Sequence, residues 1–466
     1  MNTSRWISDK VAGLLPEPAP ERSTDERLAA TLGRAGEALS PRALRRLLAQ
    51  LRGVVDPQVS EVEGGLRAQA VAAWYAAAEP AQRRDLWLLM SEQFVADPQV
   101  SRAAQAALAA ALGTPDAAAA EVRYRRATVS PRRKLLQRIS AFDQGIRFLV
   151  DMRAELLGRL KGDKRLQALD VEMEYLFSTW FDVGFLELRR ISWDSPASLI
   201  EKLIKYEAVH DIKSWADVKN RLDSDRRCYG FFHPSLPGEP LIFVEVALMD
   251  HMADSVGPLL DESADLADLG KATTAIFYSI SNTQTGLRGV SFGDSLIKRV
   301  VETLKQEFPR LKTFATLSPM PGFRSWLSKN LVPMLETLDD KTRASLARAL
   351  RSEAAPADQL LASAQQVAQL AENSPVRRAL MQFAAHYLGQ GLHQGRPIDP
   401  VARFHLGNGA RVERIHWAAD GSAKGHKQSF GLMVNYLYDL KKLDRHRSLL
   451  AQGKIPVSPA ITALQP

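Results

Sequence analysis

The sequence predicts an α+β protein in which an N-terminal all-helical bundle precedes an α/β domain that carries a helical insertion. From about Thr24 to Trp180 the chain is rich in Ala, Leu and Arg and has helical periodicity, whereas aromatic and β-branched runs separated by turns follow Trp180. At 466 residues the chain is also too long for a single hydrophobic core. We therefore expect two domains, residues 1–185 and residues 186–466.

The N-terminal domain begins with a lead-in that the sequence predicts to be flexible and continues as helices. The lead-in holds a Pro-rich stretch from Leu15 to Pro20. Ser40-Pro41 and Ser130-Pro131 are typical helix starts, because Ser caps free N–H groups of the first turn and Pro suits the first helical position. Strand-type runs are scarce before Trp180, which favours a helical bundle.

Strand-type runs and one helical stretch define the second domain. Helical periodicity returns between Asp339 and Leu388, with a break at Asn373-Ser374-Pro375, and we interpret this stretch as the insertion. From Arg403 to Leu440 the pattern predicts a strand, a loop rich in Gly, His and Lys, and a last apolar element from Phe430. The other predicted strands are Cys228 to His233, Leu241 to Leu248, Ala275 to Ile280 and Thr313 to Leu317.

Composition narrows the class of protein. The formal net charge of +8 would permit a nucleic-acid partner, but the basic residues are dispersed among acids, so we expect none. The one cysteine, Cys228, excludes an intramolecular disulfide and a cysteine-rich metal cluster, and its apolar neighbours predict a buried thiol. No apolar run approaches the roughly 20 residues that span a bilayer. Without a secretory or transit pattern at the N-terminus, we expect a cytoplasmic protein with no membrane partner.

The stretch from Ser279 to Arg299 is the most informative part of the chain. A strand-type run leads into a loop with three glycines, and a helix follows. The first N–H groups of a helix lack internal partners, so this arrangement suits a phosphate or pyrophosphate. An ordinary strand-to-helix turn that needs positive φ explains the glycines equally well, and the glycines alone favour that explanation. They are Gly286, Gly289 and Gly293.

Longer motifs point beyond an ordinary turn. Arg288, Gly289 and Gly293 resemble the acyl-CoA pyrophosphate loop of the GNAT acyltransferase superfamily, although Ser291 stands at the central glycine position. Together with Thr316 to Phe323 and Ala402 to Ala410, the stretch resembles the malonyl-CoA decarboxylase family. The resemblance implies a GNAT-like catalytic domain behind the helical domain. It also implies a homo-oligomer, a dimer or a tetramer, assembled partly through the helical domain.

The resemblance implies a carboxy-lyase, an enzyme of fatty acid metabolism that converts malonyl-CoA to acetyl-CoA and carbon dioxide. Loss of carbon dioxide leaves an enolate whose charge rests on the thioester oxygen, so the thioester itself is the electron sink and we expect no metal and no other cofactor. A GNAT-type acyl-CoA-dependent acyltransferase is the first alternative. A basic nucleic-acid-binding protein is the second.

The candidate acid is His405, and Ser318 is its candidate partner. Histidine ordinarily titrates near neutrality and could return the proton to the α-carbon. Among the nine histidines, however, the residues alone leave His233, His386 and His416 equally eligible. The resemblance selects His405, and it matches Ser318 to the family's catalytic serine. A Ser-Pro pair such as Ser318-Pro319 is otherwise often a helix cap.

The resemblance also implies a set of substrate-binding residues. Ser279 and Tyr438 match polar positions of the family's pocket, although a solvent-facing serine and a core tyrosine are equally good interpretations. Ser291 stands where many members carry an acid. The expected substrate-binding residues are Ser279, Arg288, Gly289, Val290, Ser291, Phe292, Gly293, Asp294 and Tyr438.

Overall fold

A computed structural model describes residues 38–290, 295–350, 360 and 370–465. Its backbone contacts divide the chain into two compact units. The first comprises Met1–Trp180 and Gln284–Val290, and the second comprises Phe181–Thr283 and Ser291–Pro466. The boundary that we drew at residue 185 and the oligomerisation role of the helical part remain predictions.

The described part of the first unit is helical, and both predicted helix starts are capped as expected. The Ser40 hydroxyl accepts the Ala43 N–H, and the Ser130 hydroxyl accepts the Arg132 N–H. In chain order the helices are α1 Pro41–Val55, α2 Glu61–Ala77, α3 Pro80–Gln93, α4 Pro98–Ala111, α5 Ala117–Thr128, α6 Pro131–Ser140, α7 Gly145–Leu157 and α8 Gln167–Trp180.

The second unit is built on a mixed sheet. Its strands are β1 Glu187–Ile191, β2 Arg226–Phe232, β3 Pro240–Met249, β4 Thr274–Asn282, β5 Thr313–Thr316, β6 Ser318–Pro319, β9 Arg411–His416 and β10 Met433–Leu437; β7 Leu392–His393 and β8 Arg396–Pro397 form a separate hairpin. The main order is β1-β2-β3-β4-β5-β10-β6, with β9 on β10. Within it β4 and β5 are parallel, and the other pairs are antiparallel. A helical region followed by a mixed sheet confirms the predicted fold class.

Helices cover and connect the strands of the second unit. The insertion contributes α14 (Asp340–Leu350) and α15 (Pro375–Gly389), and α15 begins at Pro375, where the sequence predicted the break. None of the described helices of either unit is long and apolar enough to cross a membrane. The helices are α9 Ala197–Tyr206, α10 Trp215–Arg221, α11 Gly257–Leu260, α12 Ser295–Glu307, α13 Phe323–Glu336, α14 Asp340–Leu350, α15 Pro375–Gly389, α16 Pro400–Gly407, α17 Ala423–Ser429, α18 Leu443–Ala451 and α19 Pro459–Thr462.

One predicted strand is wrong at its start. The chain from Arg403 continues helix α16, and β9 begins only at Arg411. The physical reason lies just upstream, where the Asp399 carboxylate accepts the N–H groups of Val401 and Ala402, both at 2.9 Å, and Pro400 takes the first helical position. His405 therefore lies on a helix.

The parallel pair β4 and β5 separates part-way along its length. Its register runs from Thr274 opposite Thr313 to Phe277 opposite Thr316. Beyond that point β4 continues against β3 to Asn282, whereas Ser318 pairs with β10. A β-bulge at Tyr278 interrupts the alternation of β4, because Phe277 pairs with Val246 whereas Ser279 pairs with the next residue, Glu245. Ser279 therefore shares the face of Glu245, while Ser318 lies on the opposite face, which it shares with Thr316.

Candidate active site

The structure brings Ser318 and His405 together. The Ser318 Oγ lies 3.3 Å from His405 Nε2, although 87 positions separate the two residues in the chain. Both side chains are buried, with 5% of Ser318 and 3% of His405 exposed. A hydroxyl and an imidazole at this distance can exchange a proton away from bulk water.

Two elements hold this pair in place. Ser318 follows Thr316, whose backbone oxygen accepts the Asn435 side-chain amide at 2.7 Å. His405 is carried by α16, and Asp399 caps that helix while its second oxygen accepts the Tyr387 hydroxyl at 3.0 Å. Hydrogen bonds therefore fix the backbone next to Ser318 as well as the helix that carries His405.

Tyr438 and Tyr436 surround the imidazole. The Tyr438 hydroxyl lies 2.7 Å from His405 Nδ1, on the side of the ring opposite Ser318. The Tyr436 ring stacks on the imidazole with centroids 4.8 Å apart and an interplanar angle of 26°. Both ring nitrogens therefore have polar neighbours, and the ring plane is fixed by packing.

Burial changes the protonation of the site. It lowers the pKa of His405 from the ordinary 6.5 to about 3, because an imidazolium there would be removed from water without a carboxylate partner. Burial also raises the pKa of Tyr438 well above its ordinary range. At neutral pH the imidazole is therefore neutral and the phenol protonated. The sequence argument that His405 titrates near neutrality does not hold in this environment.

The hydrogen-bond network assigns the tautomer of His405. The Tyr438 hydroxyl carries a proton, and among the described residues its polar neighbour is His405 Nδ1. We therefore assign that hydroxyl as the donor to Nδ1, which places the ring proton of His405 on Nε2. Nε2–H then points to Ser318 Oγ, and the Ser318 hydroxyl donates to Thr316 Oγ1 at 2.9 Å. Thr316 Oγ1 also accepts the Tyr436 N–H at 3.1 Å. The result is a directed row of donors from Tyr438 to Thr316.

Ser279 is buried and faces a carboxylate instead of solvent. Its hydroxyl lies 2.8 Å from both oxygens of Glu207, and Ser281 Oγ lies 3.2 Å from one of them. Glu207, Thr316 and Tyr436 were missed by the sequence analysis. Thr316 and Tyr436 stand two residues before Ser318 and Tyr438, so the two-residue period of a strand could have identified them.

The glycine loop is described only in part. Ser291, Phe292, Gly293 and Asp294 lie outside the described residues, whereas Arg288, Gly289 and Val290 belong to the first unit.

Structural roles account for two glycines of that loop. A Cβ at Gly286 would lie 1.9 Å from the Val150 carbonyl oxygen, and Gly289 has a φ of +89°. The buried Arg153 side chain donates to the carbonyl oxygens of Gly286 and Arg288, each at 2.8 Å. A pyrophosphate role for this loop remains a prediction.

The other eligible histidines lie in different settings. His233 Nδ1 accepts the Ser235 N–H, His386 stacks on Trp326, and His416 Nε2 contacts the Asn435 side chain. Among the described residues no group of three or more His, Cys, Asp or Glu side chains could hold a metal ion. Cys228 is buried, as predicted, and burial raises the pKa of its thiol.

Comparisons with known proteins agree along most of the chain. Residues 94–181 match the model of the malonyl-CoA decarboxylase N-terminal domain, and residues 184–465 match that of the C-terminal domain. A curated relative, the mitochondrial malonyl-CoA decarboxylase of Rattus norvegicus, is 36% identical over 416 residues, which cover 83% of this chain and 82% of the relative.

Solved structures give the same result. The malonyl-CoA decarboxylase of Rhodopseudomonas palustris matches with a TM-score of 0.78 and 40% identity, covering 90% of this chain and 99% of that one. The enzyme of Cupriavidus metallidurans matches with a TM-score of 0.73 and 43% identity, covering 91% and 100%. With both domain models matched and the fold shared, this chain belongs to the malonyl-CoA decarboxylase family.

Proposed function

We propose that this chain is a carboxy-lyase that converts malonyl-CoA to acetyl-CoA and carbon dioxide, with Ser318 and His405 protonating the enolate. The observation that carries the proposal is the buried row Tyr438–His405–Ser318 beside the point where β4 and β5 separate. Membership of the family indicates malonyl-CoA as the substrate, and the row provides the hydrogen-bond donors that its decarboxylation needs.

Carbon–carbon cleavage needs a site that accepts a shift of charge. The electron pair of the breaking bond moves from the carboxylate to the thioester oxygen, and neutral carbon dioxide leaves. A buried site disfavours the localised carboxylate, while the donors at Ser318 and His405 stabilise the developing oxyanion. One such donor typically contributes about 10²–10³ in rate.

The proton then has a short path to carbon. The α-carbon of a thioester enolate is a strong base, so the N–H of a neutral imidazole is acidic enough to protonate it. As Nε2–H is transferred, Nδ1 takes the Tyr438 proton, and the ring remains neutral throughout. Water restores the Tyr438 proton when product leaves, which closes the balance of one proton consumed per turnover.

Several expectations extend this proposal. The loop from Arg288 to Asp294 would hold the pyrophosphate of coenzyme A. We also propose a homo-oligomer, a dimer or tetramer, which light scattering would measure. A cytoplasmic location stays a prediction, since the curated relative from Rattus norvegicus is named as mitochondrial. Imaging the tagged chain in its own cell would test it.

Incubation with malonyl-CoA alone tests the proposed reaction. A decarboxylase releases carbon dioxide and acetyl-CoA with no acceptor present, whereas an acyltransferase needs an amine or hydroxyl acceptor to turn over. Stoichiometric carbon dioxide and acetyl-CoA is the expected result. Turnover only after an acceptor is added would favour the acyltransferase.

A further inference from the structure

Asn435 is a fully buried polar residue for which the proposed reaction has no role. It lies on β10 next to Tyr436, and neighbouring residues of a strand point to opposite faces of the sheet. Tyr436 stacks on His405, so Asn435 faces away from the site, on the side of Met433, which belongs to an apolar cluster. A buried amide costs free energy unless it is hydrogen-bonded, so the partners of Asn435 indicate what it does.

The side chain of Asn435 has a polar partner at each end. Its Nδ2 donates to the carbonyl oxygens of Thr316 at 2.7 Å and Ala253 at 3.1 Å. Two carbonyl acceptors identify this end as the amide nitrogen, which leaves Oδ1 facing His416 Nε2. His416 therefore donates from Nε2. Both N–H bonds and the oxygen of the amide are used, so Asn435 has one orientation.

The bond from Asn435 to the Thr316 carbonyl oxygen fills a gap in the ladder between β5 and β10. The Tyr438 N–H donates to the Phe314 carbonyl oxygen at 2.9 Å, and hydrogen-bonded pairs of an antiparallel ladder recur at every second residue. Tyr436 and Thr316 are next in this register. The Tyr436 N–H, however, donates to Thr316 Oγ1 at 3.1 Å, and the Asn435 amide takes its place on the carbonyl oxygen.

This exchange prepares the Thr316 hydroxyl for Ser318. With Asn435 on the carbonyl oxygen, the Tyr436 N–H holds the hydroxyl oxygen in place. The same oxygen accepts the Ser318 hydroxyl at 2.9 Å, and Ser318 keeps a lone pair for His405 Nε2–H. Without Asn435, the Tyr436 N–H would return to the carbonyl oxygen, because a buried carbonyl needs a donor. The group that orients Ser318 would then move.

We propose that Asn435 is a positioning residue that occupies the Thr316 carbonyl oxygen and so holds the Thr316 hydroxyl against Ser318. The inference rests on the proposed function, in which Ser318 and His405 protonate the enolate. Asn435 faces away from the site and acts through Thr316. An asparagine on the far face of the sheet thus sets the direction of the Ser318 hydroxyl.

Asn435→Leu tests the inference, because leucine has the same branched shape, lacks the amide and suits the apolar face. The Tyr436 N–H should then return to the Thr316 carbonyl oxygen, and Ser318 loses its fixed acceptor. We expect kcat for carbon dioxide release from malonyl-CoA to fall about 10- to 30-fold. The affinity for acetyl-CoA, measured by calorimetry, should stay near the parent value, because the change acts on the reacting pair.

A second variant separates positioning from a general structural role. Thr316→Val keeps the shape of the side chain, removes the hydroxyl and should lower kcat by a similar factor. In the Thr316→Val background, Asn435→Leu should lower kcat less than about threefold further, since it acts through that hydroxyl. Asn220→Leu is the matched control, because Asn220 is a half-buried residue of α10 whose amide donates to the Leu259 carbonyl oxygen at 3.4 Å. It should leave kcat at the parent value.

Proton NMR of protein labelled with ¹⁵N-histidine gives a readout that does not depend on turnover. The proton on His405 Nε2 lies against Ser318 Oγ, and its resonance is identified by its absence from His405→Gln. We expect this resonance to shift in Asn435→Leu and to stay in place in Asn220→Leu.

The outcomes are distinct. Parent-like kcat in a folded Asn435→Leu protein overturns the inference, and so does parent-like kcat in Thr316→Val, whatever the folding of Asn435→Leu. An Asn435→Leu effect that persists at full size in the Thr316→Val background also overturns it, because that effect would be structural. A parent that releases no carbon dioxide would instead refute the proposed function, and the His405 resonance would still test whether Asn435 positions the pair.

Discussion

Acidification should destabilise this protein through His405, and the size of the effect follows from its burial. The folded ring has a pKa of about 3, against an ordinary value of 6.5 in the unfolded chain. Below pH 6.5 the imidazole of His405 takes up a proton in the unfolded chain but stays neutral in the folded protein. The free energy of unfolding is therefore unaffected by His405 above pH 6.5 and decreases as the pH falls from 6.5 toward 3.

The magnitude can be worked out for a practical pH range. Integrating proton uptake between pH 7 and pH 5 with these two pKa values gives a loss of about 2 kcal/mol in the free energy of unfolding. Replacing His405 with Gln removes the titrating group. The parent should therefore lose about 2 kcal/mol more than His405→Gln between pH 7 and pH 5.

Urea unfolding of both proteins at the two pH values measures this difference. The contributions of the other titrating groups to the pH dependence cancel in this comparison, because the parent and the variant share those groups. Equal pH dependence in the two proteins would show that the folded ring titrates normally. That result would refute the burial argument and restore His405 as an ordinary acid near neutrality.

Three further changes test other parts of the site. Tyr438→Phe should keep the fold but lower turnover about 10- to 100-fold, since His405 Nδ1 loses its donor; parent-like carbon dioxide release would contradict the tautomer assignment. Asp399→Ala removes the N-cap of α16 and should lower the free energy of unfolding, measured in urea, by about 1–2 kcal/mol. Turnover should also fall, because His405 lies on that helix. Unchanged stability would refute the capping role. Arg221→Met leaves Glu245 and Asp217 buried without their cation and should cost about 3–5 kcal/mol, read as a large drop in Tm; an unshifted melt would rule out that pair as a stabilising element.

Local patterns predicted much of the fold. Capped helix starts at Ser40 and Ser130, the aromatic run of β2 and the β-branched runs of β3 and β4 are set by neighbouring residues, so a single sequence reveals them. The start of α16 was missed although Asp399-Pro400 carries the same type of signal as Ser40-Pro41. The pattern from Arg403 was interpreted as a strand, but the Asp399 carboxylate satisfies the first N–H groups of a helix, and the helix continues through His405.

The site depends on contacts that no local pattern encodes. Ser318 and His405 are 87 positions apart, and Glu207 lies 72 positions before Ser279. Residue types alone could not rank His405 above His233 or His386, because burial by the whole fold sets the environment of each ring. Resemblance to a family chose the residue, while its neutral state and its tautomer required the packed structure.

The joint action of Ser318 and His405 can be tested by carbon dioxide release from malonyl-CoA alone. The measurement compares the parent with His405→Ala, Ser318→Ala and the double variant. We expect each single variant to lose most of kcat while its affinity for acetyl-CoA stays near the parent value. The double variant should be little worse than the poorer single one, because the two residues act as a unit. A His405→Ala protein that melts like the parent and keeps near-parent turnover would contradict the assignment of His405 as the acid.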